Sequence, residues 1–211
     1  MKKHQALFLD RDGTLVQPGH YPSRPEHLHL YEGIGPALRA LQQAGLRLVM
    51  ITNQAGIARG YFTEGDLQHM HAHLAGKLDL LGVHLDGIYY CPHHIDGVIP
   101  ELAIRCDCRK PQPGMLLRAA ADLAIDLSRS WFVGDILDDI EAGKRAGCRT
   151  ILVDLGTEQV PSQAIRRPDF VARDIVHALD IVCAIERLGP TADLHYRPTT
   201  WPLPPDSGVE A

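Results

Sequence analysis

With 211 residues, 45% of them hydrophobic and 22% charged, the chain has the make-up of a soluble globular protein long enough to bury a substantial core. A net charge of −5 lacks the surplus of Lys and Arg that a phosphate backbone demands, so no nucleic-acid partner is expected. No apolar stretch approaches the roughly 20 residues that span a bilayer, and the opening MKKHQALFLD has no cleavage-like segment, so no membrane partner and a cytoplasmic location are expected. In chain order, QALFLD (5–10) reads as a buried strand. Ile34, Ala37, Leu38 and Leu41 then follow helical spacing, with Gly45 as the stop. LRLVMIT (46–52) is a second strand. Thr63 and Asp66 predict a capped helix start, followed by an apolar stripe of Leu67, Met70, Leu74, Leu78 and Leu81. GIYY (87–90) predicts a strand, and Pro113 followed by GMLLRAAADLAI a helix. WFVGD (131–135) and RTILVD (149–154) predict strands around a helix at 137–147, and a last helix runs from about Asp174 to Leu188.

Near-continuous apolar strands alternating with helices predict an α/β doubly wound parallel sheet, Rossmann-like, with helices on both faces. One domain is expected over 1–188. The Pro-rich, aperiodic stretch 189–211 reads as a flexible tail, with Trp201 as a residue that could dock it.

The sequence ALFLDRDGTLV places Asp10 and Asp12 at the end of the first strand. Ligands of open parallel sheets bind outside the carboxyl ends of the strands, and residues i and i+2 of extended chain face the same side. Two adjacent carboxylates repel and favour a cation between them. Other strand ends add Thr52 and Asn53, Lys110 in CRKP, and Asp135 followed by Asp138 and Asp139. A carboxylate nucleophile, a second carboxylate, a hydroxyl, a lysine and a metal-binding acid form the inventory that phosphoryl transfer requires.

The ordered set DRDGT, ITN, RKP and GDxxxD resembles the haloacid dehalogenase-like superfamily of Mg²⁺-dependent phosphatases. The resemblance implies Asp10 as nucleophile, Asp12 as general acid/base, Thr52 and Lys110 as phosphoryl-binding groups, and Asp135 as a Mg²⁺ ligand. The metal would also touch the Asp10 carboxylate and the Asp12 backbone carbonyl. Either Asp138 or Asp139 could orient the last motif, or serve as a helix N-terminal acid.

The stretch CPHHIDGVIPELAIRCDCRKP (91–111) contains Cys91-x-His93 and Cys106-x-Cys108, a closed set of three thiolates and an imidazole suited to structural zinc. His94 is a rival imidazole; the resembling families ligate through C-x-H, which selects His93. The zinc would staple a loop that carries Arg109 and Lys110.

This loop is shared by two phosphatase families, D-glycero-D-manno-heptose 1,7-bisphosphate 7-phosphatases and histidinol-phosphate phosphatases. Its length, with NQAGIARGYFTE (53–64), is similar to the heptose family. The resemblance covers residues 5–156 and implies no large cap domain. A small phosphorylated sugar would then be recognised by short loops through His20, Tyr21, Asn53, Gln54 and Arg109, with Arg59 a further candidate for a second phosphate. The chain departs from the heptose pattern at QPGHY and at Ile136, where a lysine is common. A histidinol phosphatase, a nucleic-acid end phosphatase and an inactive zinc-stapled interaction module are the alternatives. The last conflicts with the presence of Asp10 and Lys110, and the second with the acidic charge. A monomer is expected. His69, His71 and His73 read as solvated, His27 and His29 as loop residues, and Cys148 and Cys183 as buried thiols.

Overall fold

The computed structural model describes residues 3–19 and 21–187. His20, Leu188, the expected tail at 189–211 and Trp201 lie outside the described residues. Six parallel strands form one sheet: β1 (Ala6–Leu9), β2 (Arg47–Asn53), β3 (Gly87–Cys91), β4 (Trp131–Gly134), β5 (Arg149–Val153) and β6 (Phe170–Ala172). Their order is β3-β2-β1-β4-β5-β6. The order reverses between β1 and β4, so the crevice at the ends of these strands is the topological switch point where a doubly wound sheet binds ligands.

Among the described residues, five α-helices cover the sheet: α1 (Ile34–Gln43), α2 (Glu64–Leu80), α3 (Gly114–Asp122), α4 (Leu137–Ala146) and α5 (Ile175–Ile185). The alternation of the strands sets the two cores. Leu7 and Leu9 of β1 join Leu48, Met50, Trp131 and Val133 under α1, α2 and α5. Ala6 and Phe8 join Val49, Ile51 and Phe132 under α3 and α4. Full burial of a side chain such as Phe8 stabilises the fold by about 1.5–3 kcal/mol through removal from water. The far end of the sheet is tied by Glu186, which accepts from Trp131 Nε1 at 2.9 Å and from Arg149 Nη2 at 2.7 Å.

The expected capping box is present at α2, where Thr63 Oγ1 accepts from Asp66 N at 3.1 Å and Asp66 Oδ2 accepts from Thr63 N at 2.8 Å. Several expectations need correction. The α3 helix stops at Asp122, ahead of the predicted end, and Ala124 adopts a positive φ of 51° just beyond it. Leu81 is a partly exposed C-cap residue of α2 and not part of its buried stripe. His71 is buried, whereas His69 and His73 are exposed as expected. Strand β6 was not expected, because three residues carry no readable alternation. Among the described residues, no helix is long and apolar enough to cross a membrane.

Candidate active site

Asp10 follows β1 directly, and its N–H donates to Val133 O of β4 at 3.0 Å. The neighbouring strands bring Thr52 on one side and Asp135 on the other. Lys110 enters from the loop between β3 and α3, almost fully buried. Its Nζ lies 2.6 Å from Asp10 Oδ1, 2.6 Å from Asp139 Oδ1 and 3.2 Å from Ile51 O. A buried ammonium is tolerable only with such partners. Burial works against its charge, but Asp10 and Asp139 outweigh this and hold Lys110 above its ordinary range. Asn53 fixes the main chain of that lysine, accepting from Lys110 N at 3.1 Å and donating to Lys110 O at 3.2 Å.

Carboxylate oxygens of Asp10, Asp135 and Asp139 lie within 4.8 Å of one another. Burial first, then the neighbouring acids Asp139 and Asp12, push Asp10 up to about 7 against the opposing pull of Lys110. Burial and the charges of Asp10 and Asp139 push Asp135 up to about 9. One ammonium cannot neutralise three carboxylates. The oxygen-only donor set and its surplus negative charge fit a hard divalent cation such as Mg²⁺. Two glycines make room for this crowding. A Cβ on Gly13, at φ +82°, would stand 2.1 Å from Asp135 Oδ2, and one on Gly134 would stand 2.3 Å from Asp139 Oδ2.

The structure separates the two helix acids. Asp139 is buried beside Lys110, while Asp138 pairs with Arg166 at 2.9 Å away from the cluster. Asp139 therefore joins the site. Asp12 Oδ2 accepts from Arg11 Nε at 3.0 Å, Arg11 Nη2 at 2.7 Å and Gln54 Nε2 at 3.1 Å. The same Gln54 nitrogen donates to Thr52 Oγ1 at 2.7 Å. Sequence reasoning assigned no role to Arg11, and it set His71 aside as solvated. Burial, then the Arg11 charge, hold the His71 imidazole down at about 3.

A small cavity of about 160 Å³ is lined by Arg11, Asp12, Tyr21, Asn53 and Gln54, among others. Tyr21, at φ 48°, packs edge-on against Tyr61 with ring centroids 4.9 Å apart. The Arg59 guanidinium carbon lies 6.0 Å from the Tyr21 ring centre. A larger cavity of about 610 Å³ lies behind the cysteine loop, against Tyr89, Tyr90, His93 and Arg118, and none of the clustered carboxylates lines it. The small cavity beside Asp12 is thus the one that belongs to the chemistry.

Cys91, His93, Cys106 and Cys108 place one ligand atom each within a 4.8 Å group. Sulfur–sulfur distances are 3.6 Å for Cys91–Cys106, 3.2 Å for Cys91–Cys108 and 3.3 Å for Cys106–Cys108. The His93 Nδ1 lies 3.6 Å from Cys91 Sγ and 3.4 Å from Cys108 Sγ. Zinc–sulfur bonds of about 2.3 Å require tetrahedron edges of about 3.8 Å, so the set fits zinc with slight expansion. His94 is engaged elsewhere, 3.3 Å from Arg59 Nη2 and accepting from Asp96 N at 3.1 Å. Gln54 N donates to Cys91 O at 2.8 Å, which ties the cluster to the end of β2. Arg109 Nη1 donates to His93 O at 3.3 Å.

Comparison with known proteins places this geometry. A family model described as "HAD-hyrolase-like" matches residues 107–178. The chain is 43% identical over 180 residues to a D-glycero-beta-D-manno-heptose-1,7-bisphosphate 7-phosphatase of Haemophilus ducreyi, covering 84% of this chain and 98% of that one. It is 44% identical over 171 residues to the Yersinia pestis protein of the same name, covering 81% and 90%. Among solved structures, a D,D-heptose 1,7-bisphosphate phosphatase from B. bronchiseptica, complexed with magnesium and phosphate, superposes with a TM-score of 0.72. That structure is 30% identical, and the match covers 86% of this chain and 99% of it.

Proposed function

Since the chain belongs to the D-glycero-beta-D-manno-heptose-1,7-bisphosphate 7-phosphatase family of haloacid dehalogenase-like phosphoric monoester hydrolases, we propose that it removes the C7 phosphate of that bisphosphate. Asp10 is the nucleophile. It attacks phosphorus, the ester P–O bond breaks, and an aspartyl phosphate forms on Asp10. The protonated Asp12 delivers its proton to the departing sugar oxygen. Water then attacks the phosphoryl group, Asp12 takes the water proton, and Asp10 is regenerated as inorganic phosphate leaves. Lys110 and the Thr52 hydroxyl hold the phosphoryl oxygens as charge shifts onto them. Mg²⁺, held by Asp10, Asp135 and Asp139 with the Asp12 carbonyl, would neutralise the phosphoryl charge.

The observation that carries this reading is Lys110 wedged between Asp10 and Asp139, 2.6 Å from each, in a cluster of three acids. Cys91, His93, Cys106 and Cys108 would hold structural zinc. Tyr21, Asn53, Gln54 and Arg109 border the substrate, and the sequence adds His20, which lies outside the described residues. One domain over 1–188, acting as a cytoplasmic monomer on a small phosphorylated sugar, completes the proposal.

The test compares kcat/KM for heptose 1,7-bisphosphate, fructose 1,6-bisphosphate and histidinol phosphate with Mg²⁺ present. A preference for the heptose with only the C7 phosphate released is expected. A preference for histidinol phosphate would overturn the substrate assignment and leave the Asp10 chemistry standing.

A further inference from the structure

The residue between the two motif aspartates is a buried arginine, 1% exposed. Its main-chain carbonyl accepts from Leu15 N at 3.0 Å and Val16 N at 2.9 Å, which secures the turn after β1. That backbone role needs no guanidinium, and an apolar side chain would fill the space without the desolvation penalty of a charge. The side chain instead curls back to its neighbour and gives two N–H donors to Asp12 Oδ2. Gln54, 3% exposed, adds a third donor to that same oxygen. The other oxygen, Asp12 Oδ1, has no hydrogen-bond partner among the described residues.

We propose that Arg11 and Gln54 are positioning residues that hold Asp12 by Oδ2 alone and leave Oδ1 to carry the catalytic proton. This deepens the phosphatase reading and rests on it. A proton on Oδ1 leaves Oδ2 a carbonyl-like acceptor, so the same three hydrogen bonds persist whether Asp12 is acid or base. The group can therefore give a proton to the leaving oxygen and take one from water without changing its orientation. Gln54 also links this acid/base to Thr52 Oγ1, so one amide registers the proton donor against the phosphoryl-binding hydroxyl. The Gln54 main chain is itself fixed by its bond to Cys91 O at 2.8 Å. Without the fork, a side chain that is 29% exposed is free to turn toward solvent.

Rapid-mixing kinetics on Arg11→Lys and Gln54→Leu, each with Mg²⁺, test the assignment. The Gln54 variant keeps the test open if the buried Arg11 substitution does not fold. With p-nitrophenyl phosphate the leaving group departs without needing a proton, so Asp12 is needed only to activate water. The variants should release a burst of about one equivalent of p-nitrophenolate at close to the wild-type rate, followed by turnover slowed about 30- to 100-fold. With heptose 1,7-bisphosphate the first turnover should itself slow by a similar factor and show no burst. A uniform loss of burst and turnover on both substrates, or no loss at all, would overturn the positioning role. Asp10→Asn run in parallel separates the two levels. If that variant retains turnover, the aspartyl-phosphate mechanism on which the proposal rests has failed, whereas an inactive Asp10→Asn with uniform losses in the others removes only the positioning role.

Discussion

His71 is 6% exposed on α2, its ring edge-on to Tyr90 with centroids 5.9 Å apart. Burial and the nearby Arg11 charge hold its imidazole at about 3, against an ordinary value of 6.5. The folded-state value is the lower one, so acid protonates the unfolded chain first. Stability from this residue is intact above pH 6.5 and declines as the pH falls from there toward 3. At pH 5 the difference in proton binding costs about 2 kcal/mol, since 1.4 kcal/mol accompanies each pH unit below the unfolded value. At pH 7.5 it costs roughly a tenth of a kcal/mol or less. Urea unfolding of the wild type and His71→Leu at pH 7.5, 6 and 5 measures this, with all other titrating groups cancelling in the comparison. The wild type should lose about 2 kcal/mol more than the variant between pH 7.5 and pH 5. Parallel curves for the two proteins would refute the reasoning, because His71 would then titrate alike folded and unfolded.

Lys110→Met should lower kcat/KM at least about 1000-fold, and Lys110→Arg should not restore it, because a planar fork cannot reproduce a point charge 2.6 Å from both Asp10 and Asp139. Steady-state assays with the bisphosphate decide this. Asp139→Asn should weaken Mg²⁺ binding in calorimetric titrations and reduce turnover, whereas Asp138→Asn, paired outward with Arg166, should leave both in place. Equal losses in the two variants would contradict the geometry. Zinc determined by elemental analysis should approach one equivalent in the native protein and vanish in Cys106→Ser/Cys108→Ser; a native protein without zinc removes the assignment. Thr63→Ala should destabilise the protein by about 1 kcal/mol in denaturant titrations through loss of the α2 capping box.

The strands β1, β2 and β4 and their chemistry were readable because two signals coincide at their ends: an apolar run, then a polar residue of defined type. Asp10, Thr52 and Asp135 were nameable on that basis, and Lys110 from the RKP motif; the structure shows that Lys110 stands in the loop between β3 and α3 rather than at a strand end, and brings it to the same crevice. The choice between Asp138 and Asp139 was not readable. One residue is a turn of about 100° on a helix, and only packing against Gly134 and Lys110 decides which acid faces inward. The burial of His71 did have a signal. It extends the Leu67, Met70, Leu74, Leu78 stripe at helical spacing, and the neighbouring His69 and His73 masked it. Arg11 defied the period-two rule. In extended chain it would face away from its neighbours, but the turn after β1 folds its side chain back onto Asp12.

Asn53 grips both main-chain groups of Lys110, and the clustered pairs Cys91/His93 and Cys106/Cys108 bring together the two ends of the segment between them. The stretch 94–105 is joined to the rest by contacts such as Val98 N and Ile99 N donating to Ala58 O at 2.8 and 3.1 Å. The Lys110 backbone and the interior of this loop are thereby held by separate contacts, although they are adjacent in the chain. Substitutions inside that segment are then expected to leave Lys110 in register with Asp10.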